Sequence, residues 1–182
     1  MEVDLSKFSS KTFDRGASRI KEILWVAIRC LFFLSTWPVP SAWRVAWLRC
    51  FGAEIGQGVV IRSRVYVHFP WRLKMGNNVW LGEEAYLLNL APILMESNVC
   101  ISQRSFLCTG SHDYTSGSFD LITKPITLEK GAWIGAASWV GPGVRIGTHA
   151  VLAAASVATK SLNPWGVYQG NPATFVRKRV LL

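Results

Sequence analysis

Residues 128–160 read LEKGAWIGAASWVGPGVRIGTHAVLAAASVATK, and an aliphatic residue returns at every sixth position: Leu128, Ile134, Val140, Ile146 and Leu152. Four residues after each stands a Val, Ala or Ser, at Ala132, Ser138, Val144, Ala150 and Ser156. The first register extends back through three shorter runs: Ile55, Ile61, Val67; then Met75, Leu81, Leu87; then Met95, Ile101, Leu107. Between these runs the step lengthens from six to eight, which marks two extra residues at a corner. The second register continues as Val59, Val65, Trp71, Val79, Ala85, Ala91, Val99, Ser105 and Ser111, with Trp71 the one bulky exception.

A period of six is far from the 3.6 of a helix, and Gly56, Gly76, Gly82, Gly135, Gly141 and Gly147 recur too often for stable helices. A hexad suits one flat side of a triangular prism, and three hexads close a coil that stacks on the next at about 4.8 Å. Alternation along each short strand turns the aliphatic and the residue four later inward. The aliphatic fills the axis, and its companion must be small because the triangle is narrow. The glycines that follow the aliphatics are expected at corners that need positive φ. Each coil buries its inner face only against its neighbour, so a run of repeats is required. The expected fold is mostly β, a single-chain parallel β-helix over residues 53–160. An N-terminal segment, 1–52, precedes it and a short tail, 161–182, follows.

Within 1–52, residues 1–19 read as irregular and exposed. Helices are expected over Ile20–Leu34 and, beyond Pro38 and Pro40, over Trp43–Phe51, with Gly52 as C-cap. They would cover the first coil and its open sheet edge. The stretch Ile23–Leu34, ILWVAIRCLFFL, is apolar apart from Arg29 but shorter than the roughly 20 residues a membrane span needs. A capping or interfacial helix fits it better. No secretory signal pattern is present, so the expected location is cytoplasmic, with residues 20–37 offering peripheral contact to the inner face of the membrane.

The 182 residues carry a formal charge of +9 and a pI near 9.8, which suits an anionic partner. The basic residues are scattered and Arg177-Lys178-Arg179 is the only cluster, so no nucleic-acid partner is expected. Cys30, Cys50, Cys100 and Cys108 lack paired short spacings, which argues against a disulfide framework or metal site.

In a solenoid, function sits where the repeat breaks. The long break, 109–127, carries Thr109-Gly110-Ser111-His112-Asp113-Tyr114. A neutral imidazole at His112 can take the proton of a hydroxyl as its oxygen attacks a thioester, then return it to the departing thiolate. Asp113 is placed to orient the ring or to bind substrate. His68, at a lengthened corner, and His149, at an outward position, read as surface residues. Cys100 and Cys108 have no base in their motifs, so direct transfer is expected rather than an acyl-enzyme.

The hexads together with GSHDYT, GAWIGAASWVGPGVRIG, ATK and GNPA resemble the left-handed β-helix sugar O-acetyltransferases, most of all those named for colanic acid biosynthesis. The maltose, galactoside and nodulation-factor acetyltransferases are more distantly similar. The resemblance covers the whole chain, including Phe13–Gly16 (FDRG) and Arg49–Gly56 (RCFGAEIG). Left-handedness is implied by it, since general crossover rules favour the opposite hand. The resemblance implies an acetyl-CoA donor, no metal, and a sugar or glycan-precursor acceptor, free or lipid-linked. It implies His112 as catalytic base and Asn89, Asp113 and Tyr114 on the acceptor side. Trp133 would line the pantetheine channel beside Ala136. Ala154, Thr159 and Lys160 would contact coenzyme A, and Arg177 would lie near its phosphates. Where the family carries glycine near the ATK end, Ala153 and Ala155 stand here. A homotrimer is implied, with each site between neighbouring prisms. Three rival readings stand beside this one. A γ-class carbonic anhydrase needs three converging histidines, which the spacing of His68, His112 and His149 does not suggest. An amine or serine acceptor and a non-enzymatic membrane-associated scaffold built on Ile23–Leu34 are the alternatives.

Overall fold

In a computed structural model, which describes residues 2–10 and 13–181, the chain winds into stacked coils with three flat faces, preceded by two helices. Met1, Lys11, Thr12 and Leu182, which belong to the irregular terminus and tail read from the sequence, lie outside the described residues. The first face stacks Glu54–Ile55, Leu73–Met75, Ile93–Met95, Ile126–Leu128 and Arg145–Ile146, all parallel. The second stacks Val60–Ile61, Trp80–Leu81, Cys100–Ile101, Trp133–Ile134, Val151–Leu152 and Gly166–Gly170. The third stacks Tyr66–Val67, Tyr86–Leu88, Phe106–Cys108, Trp139–Val140 and Val157–Ala158.

The expected aliphatics form the axis: Ile61, Leu81, Ile101, Ile134 and Leu152 are each at most 1% exposed. Burying one such side chain contributes about 1.5–3 kcal/mol, so the stack dominates stability. The small companions also point inward, and those that are serine bond to backbone carbonyls, as Ser105 Oγ does to Gly135 at 2.8 Å. Trp71 and Ser111 depart from that register. Trp71 is half-buried in a 3-10 turn, Pro70–Arg72, and Ser111 is exposed on a hairpin. Both follow a third-face aliphatic, at the corner where extra residues carry the chain off the prism.

The glycines after the aliphatics act differently from expectation. None of Gly76, Gly82 or Gly135 has positive φ. A Cβ there would lie 2.5–2.7 Å from the backbone nitrogens of Ser97, Gln103 and Ala154, in the next coil. Close approach excludes the side chain. The left-handed corner conformation falls two residues later, on Asn78, Glu84 and Ala137 among others.

The N-terminal helices are α1, Arg19–Ile28, which continues as a π turn, Arg29–Leu34, and α2, Ser41–Cys50. Ser18 caps α1 by accepting from the Lys21 N–H, and Pro38 and Pro40 separate the two helices. Their inner residues close the open edge of the first coil, one arginine to each face. Arg49 donates to the Ile55 and Gly56 carbonyls at 2.9 and 2.7 Å. Arg44 donates to Ile61 at 3.2 Å and to Phe32 at 3.0 Å. Arg29 and the Trp25 indole share the Val67 carbonyl at 3.2 and 3.0 Å. A guanidinium suits this task because its five donors can reach several acceptors. Arg44 is only 3% exposed, and burial lowers its pKa, so these carbonyls offset a desolvation cost. An Arg44→Met variant keeps the length but leaves the Phe32 and Ile61 carbonyls unpaired. It is expected to lose about 1–3 kcal/mol in urea unfolding. An unchanged midpoint would remove Arg44 from the role of edge plug.

Candidate active site

The chain leaves the prism after Phe106–Cys108 on the third face. Thr109, fully buried, anchors the departure: its hydroxyl donates to the Leu88 carbonyl and accepts from the Ala91 N–H. Gly110–His112 then pairs antiparallel with Leu121–Thr123, so the long break is an ordered hairpin, and the chain rejoins the first face at Ile126.

His112 sits at the last pair of this hairpin, opposite Leu121. Its Nδ1 lies 2.7 Å from the Phe119 carbonyl oxygen. A carbonyl can only accept, so Nδ1 carries the hydrogen and the neutral ring keeps its lone pair at Nε2. The Phe119 ring stacks on the imidazole at 4.4 Å and 9°. Phe119 reaches both positions because its backbone is left-handed, φ +53°. From the other end of the chain, Phe8 meets the imidazole edge-on at 5.5 Å. The Asp4 N–H donates to the Gly117 carbonyl at 2.9 Å, so the terminal segment is seated on the hairpin rather than free.

Asp113 does not orient the ring. Its carboxylate accepts from the Thr115 N–H and hydroxyl at 2.9 and 2.6 Å, bonds that hold its pKa below the usual carboxylate range. It shapes the tip, where Asp120 gathers the Ser116 and Ser118 hydroxyls. Tyr114 is exposed at that tip. Asn89 is fully buried and its amide is spent on the corner backbone: Oδ1 accepts from His68 and Phe69, and Nδ2 donates to the Phe69 carbonyl. That use commits its oxygen fully and leaves one amide hydrogen, on a side chain with no exposed surface. Burial raises the thiols of Cys100 and Cys108, which disfavours a thiolate nucleophile at either.

Trp133 faces outward on the second face, its indole donating to Ser102 Oγ at 2.9 Å. Ala136 and Ala154 lie where the second face turns into the third, in successive coils joined by the Ala155 N–H to the Ala136 carbonyl. Ala155 takes a left-handed φ of +56°, which explains why glycine suits that position. Thr159 and Lys160 are exposed after Val157–Ala158, on the corner from which the His112 hairpin springs two coils earlier. Arg177 is exposed on the final strand, Ala173–Lys178, opposite Val167. Within one chain, then, the Trp133–Ala136–Ala154 surface and His112 occupy different corners of the prism.

Two residues of the His112 environment escaped the sequence. Phe119 becomes visible only once the hairpin is closed, and Phe8 has no local signal at all. A cavity of about 460 Å³ lies between the terminal segment and the hairpin, walled by Ser10, Phe13, Asp14, Arg72, Asp120 and Thr123. Of the other histidines, His149 packs on the Trp165 ring at 4.3 Å. His68 is not the surface residue expected. It is half-buried, its Nδ1 3.1 Å from the Tyr66 hydroxyl, and burial, then Arg29 and Arg15, press its pKa down to about 4. Among the described residues, no group of three His, Cys, Asp or Glu could hold a metal ion.

No protein-family model matches the chain. A protein of Escherichia coli named as a colanic acid biosynthesis acetyltransferase, WcaF, is 41% identical over 177 residues, 97% of each chain. A hexapeptide-repeat acetyltransferase of Vibrio cholerae, solved with acetyl coenzyme A, superposes with a TM-score of 0.81 at 24% identity, covering 95% of this chain and 96% of that one. A galactoside acetyltransferase solved with coenzyme A gives a TM-score of 0.78 at 22% identity, covering 87% and 80%. At these identities the two structures speak for the fold.

Asn89→Ala is expected to cost about 1–3 kcal/mol, by stranding buried backbone groups, with the KM for acetyl-CoA unchanged. Unaltered stability would return Asn89 to the acceptor side. For His68 the depressed pKa sets the sign: the unfolded chain takes a proton near pH 6.5 that the folded one refuses until about 4. Stability should be full above pH 6.5 and fall as pH drops toward 4. Urea titrations across that window should be flatter for His68→Gln than for the wild type.

Proposed function

The chain belongs to the hexapeptide-repeat acetyltransferases of the colanic acid biosynthesis type, and from that premise we propose that it moves the acetyl group of acetyl-CoA to a sugar hydroxyl of a surface glycan precursor. The observation that carries the mechanism is the bond from His112 Nδ1 to the Phe119 carbonyl, which leaves Nε2 as the base. Nε2 takes the hydroxyl proton as the oxygen forms its bond to the thioester carbonyl carbon. The tetrahedral intermediate then collapses, the carbon–sulfur bond breaks, and the proton passes from Nε2 to the coenzyme A thiolate. The carbonyl of Phe119 supports the transient imidazolium, since it accepts from Nδ1–H in both protonation states. The donor is a cytoplasmic metabolite, so the reaction is proposed on that side of the membrane.

The working unit is proposed to be a homotrimer, with His112 of one prism meeting the Trp133, Ala136 and Ala154 surface of the next. The supporting pattern is the partition of outward residues among the faces. The first face shows Glu54, Lys74, Leu94, Thr127 and Arg145, polar apart from Leu94, with ion pairs such as Lys74–Glu54 at 2.7 Å. The other two show ladders of Trp80, Cys100 and Trp133, and of Tyr66, Tyr86, Phe106 and Trp139. Such apolar faces suit burial against another copy. Lys160 and Arg177 are then the cations for the donor's phosphates, with Thr159 beside them.

Thiol release from acetyl-CoA, measured with a panel of sugar acceptors, tests the activity. His112→Ala should lower kcat by about 10²–10⁴-fold, whereas Asp113→Asn should change it little. Lys160→Gln and Arg177→Gln should raise the KM for acetyl-CoA with kcat nearly intact. A folded His112→Ala protein with normal turnover would sink the assignment.

A further inference from the structure

The outer side of the N-terminal helices is apolar, and the rest of the fold does not cover it. Trp25, Arg29 and Phe33 turn toward the first coil. Ile20, Ile23, Leu24, Leu31, Trp37 and Trp43 are left facing outward at 54–74% exposure. On α1 the spacing 20, 23, 24 is that of a single helix face. Soluble monomers seldom expose so continuous an apolar stripe. Among the described residues no helix is long and apolar enough to cross a membrane.

The charge around the stripe is one-sided. Between Arg15 and Cys50 the chain carries six basic residues and one acid, Glu22; Arg29 and Arg44 are buried against the first coil and Arg49 binds its carbonyls, so Arg15, Arg19 and Lys21 are the cations beside the stripe. The Glu22 carboxylate is already taken by Arg15, at 2.6 Å. A second copy docking by the same surface would bring cation against cation. An anionic bilayer complements both the charge and the apolar side chains, and the exposed indoles of Trp37 and Trp43 suit the headgroup level.

A cavity of about 740 Å³ opens beside Ile23 and Val26, with Arg15 and Arg19 in its wall.

We propose that the outward stripe of the N-terminal helices docks the enzyme on an anionic membrane surface.

Flotation of the full-length protein with phosphatidylcholine vesicles, with and without phosphatidylglycerol, tests the docking. The wild type should float with the anionic vesicles and be released by salt. Leu24→Glu/Leu31→Glu should reduce the bound fraction at least about tenfold, and Leu24→Ile/Leu31→Val should retain it. His112→Ala should float like the wild type, so the docking result stands or falls apart from catalysis. Wild-type protein that stays unbound, or a double glutamate variant that still floats, would overturn the proposal. So would a change in oligomer size in that variant, which would make the stripe an interface between copies.

Discussion

Every backbone hydrogen bond that joins the coils runs along the prism axis, so the fold depends on what satisfies the carbonyls of the first coil. A coil inside the stack finds its partners above and below. The first finds them on one side only, and its other edge would be a template for unwanted strand pairing. Arg49, Arg44 and Arg29 meet that need, one on each face, with Trp25 sharing the Val67 carbonyl. The cap is therefore part of the β-helix in the energetic sense. Its cations face carbonyl oxygens, and its remaining apolar side chains are left to point outward.

The same economy governs the His112 hairpin. A solenoid wall offers flat, repetitive surface, and a base needs one tautomer held in one direction. The hairpin supplies this largely through one residue. A left-handed turn at Phe119 brings its carbonyl to Nδ1 and its ring to the imidazole face. The neighbouring carboxylate of Asp113, which looked suited to the task, is consumed by its own turn.

Much of the fold was legible because it repeats. The aliphatic register marked the axis residues, and the eight-residue steps marked the corner that bulges. Where the reading went astray, the cause was an effect between coils. Gly76, Gly82 and Gly135 suggested positive φ, but they are glycine because the next coil's backbone leaves no room for a Cβ. His68 looked exposed from its corner, yet the Phe69 bulge, Arg29 and Tyr66 enclose it. Trp71 and Ser111 kept the count of the repeat while lying off the prism.

By itself, the sequence determined the three-faced stack, its break at 109–127 and the histidine within that break. These are properties of periodicity, and periodicity is local. Tertiary structure decided which nitrogen of His112 is basic, that Asn89 serves the corner, and that Phe8 reaches the hairpin from the far end of the chain. It also decided which side of the first helix is buried. An evenly apolar stretch such as Ile23–Leu34 cannot choose its inner face until Arg29 and Trp25 find the open carbonyl of Val67. Such choices arise from contacts between residues distant in the chain, and no local pattern encodes them.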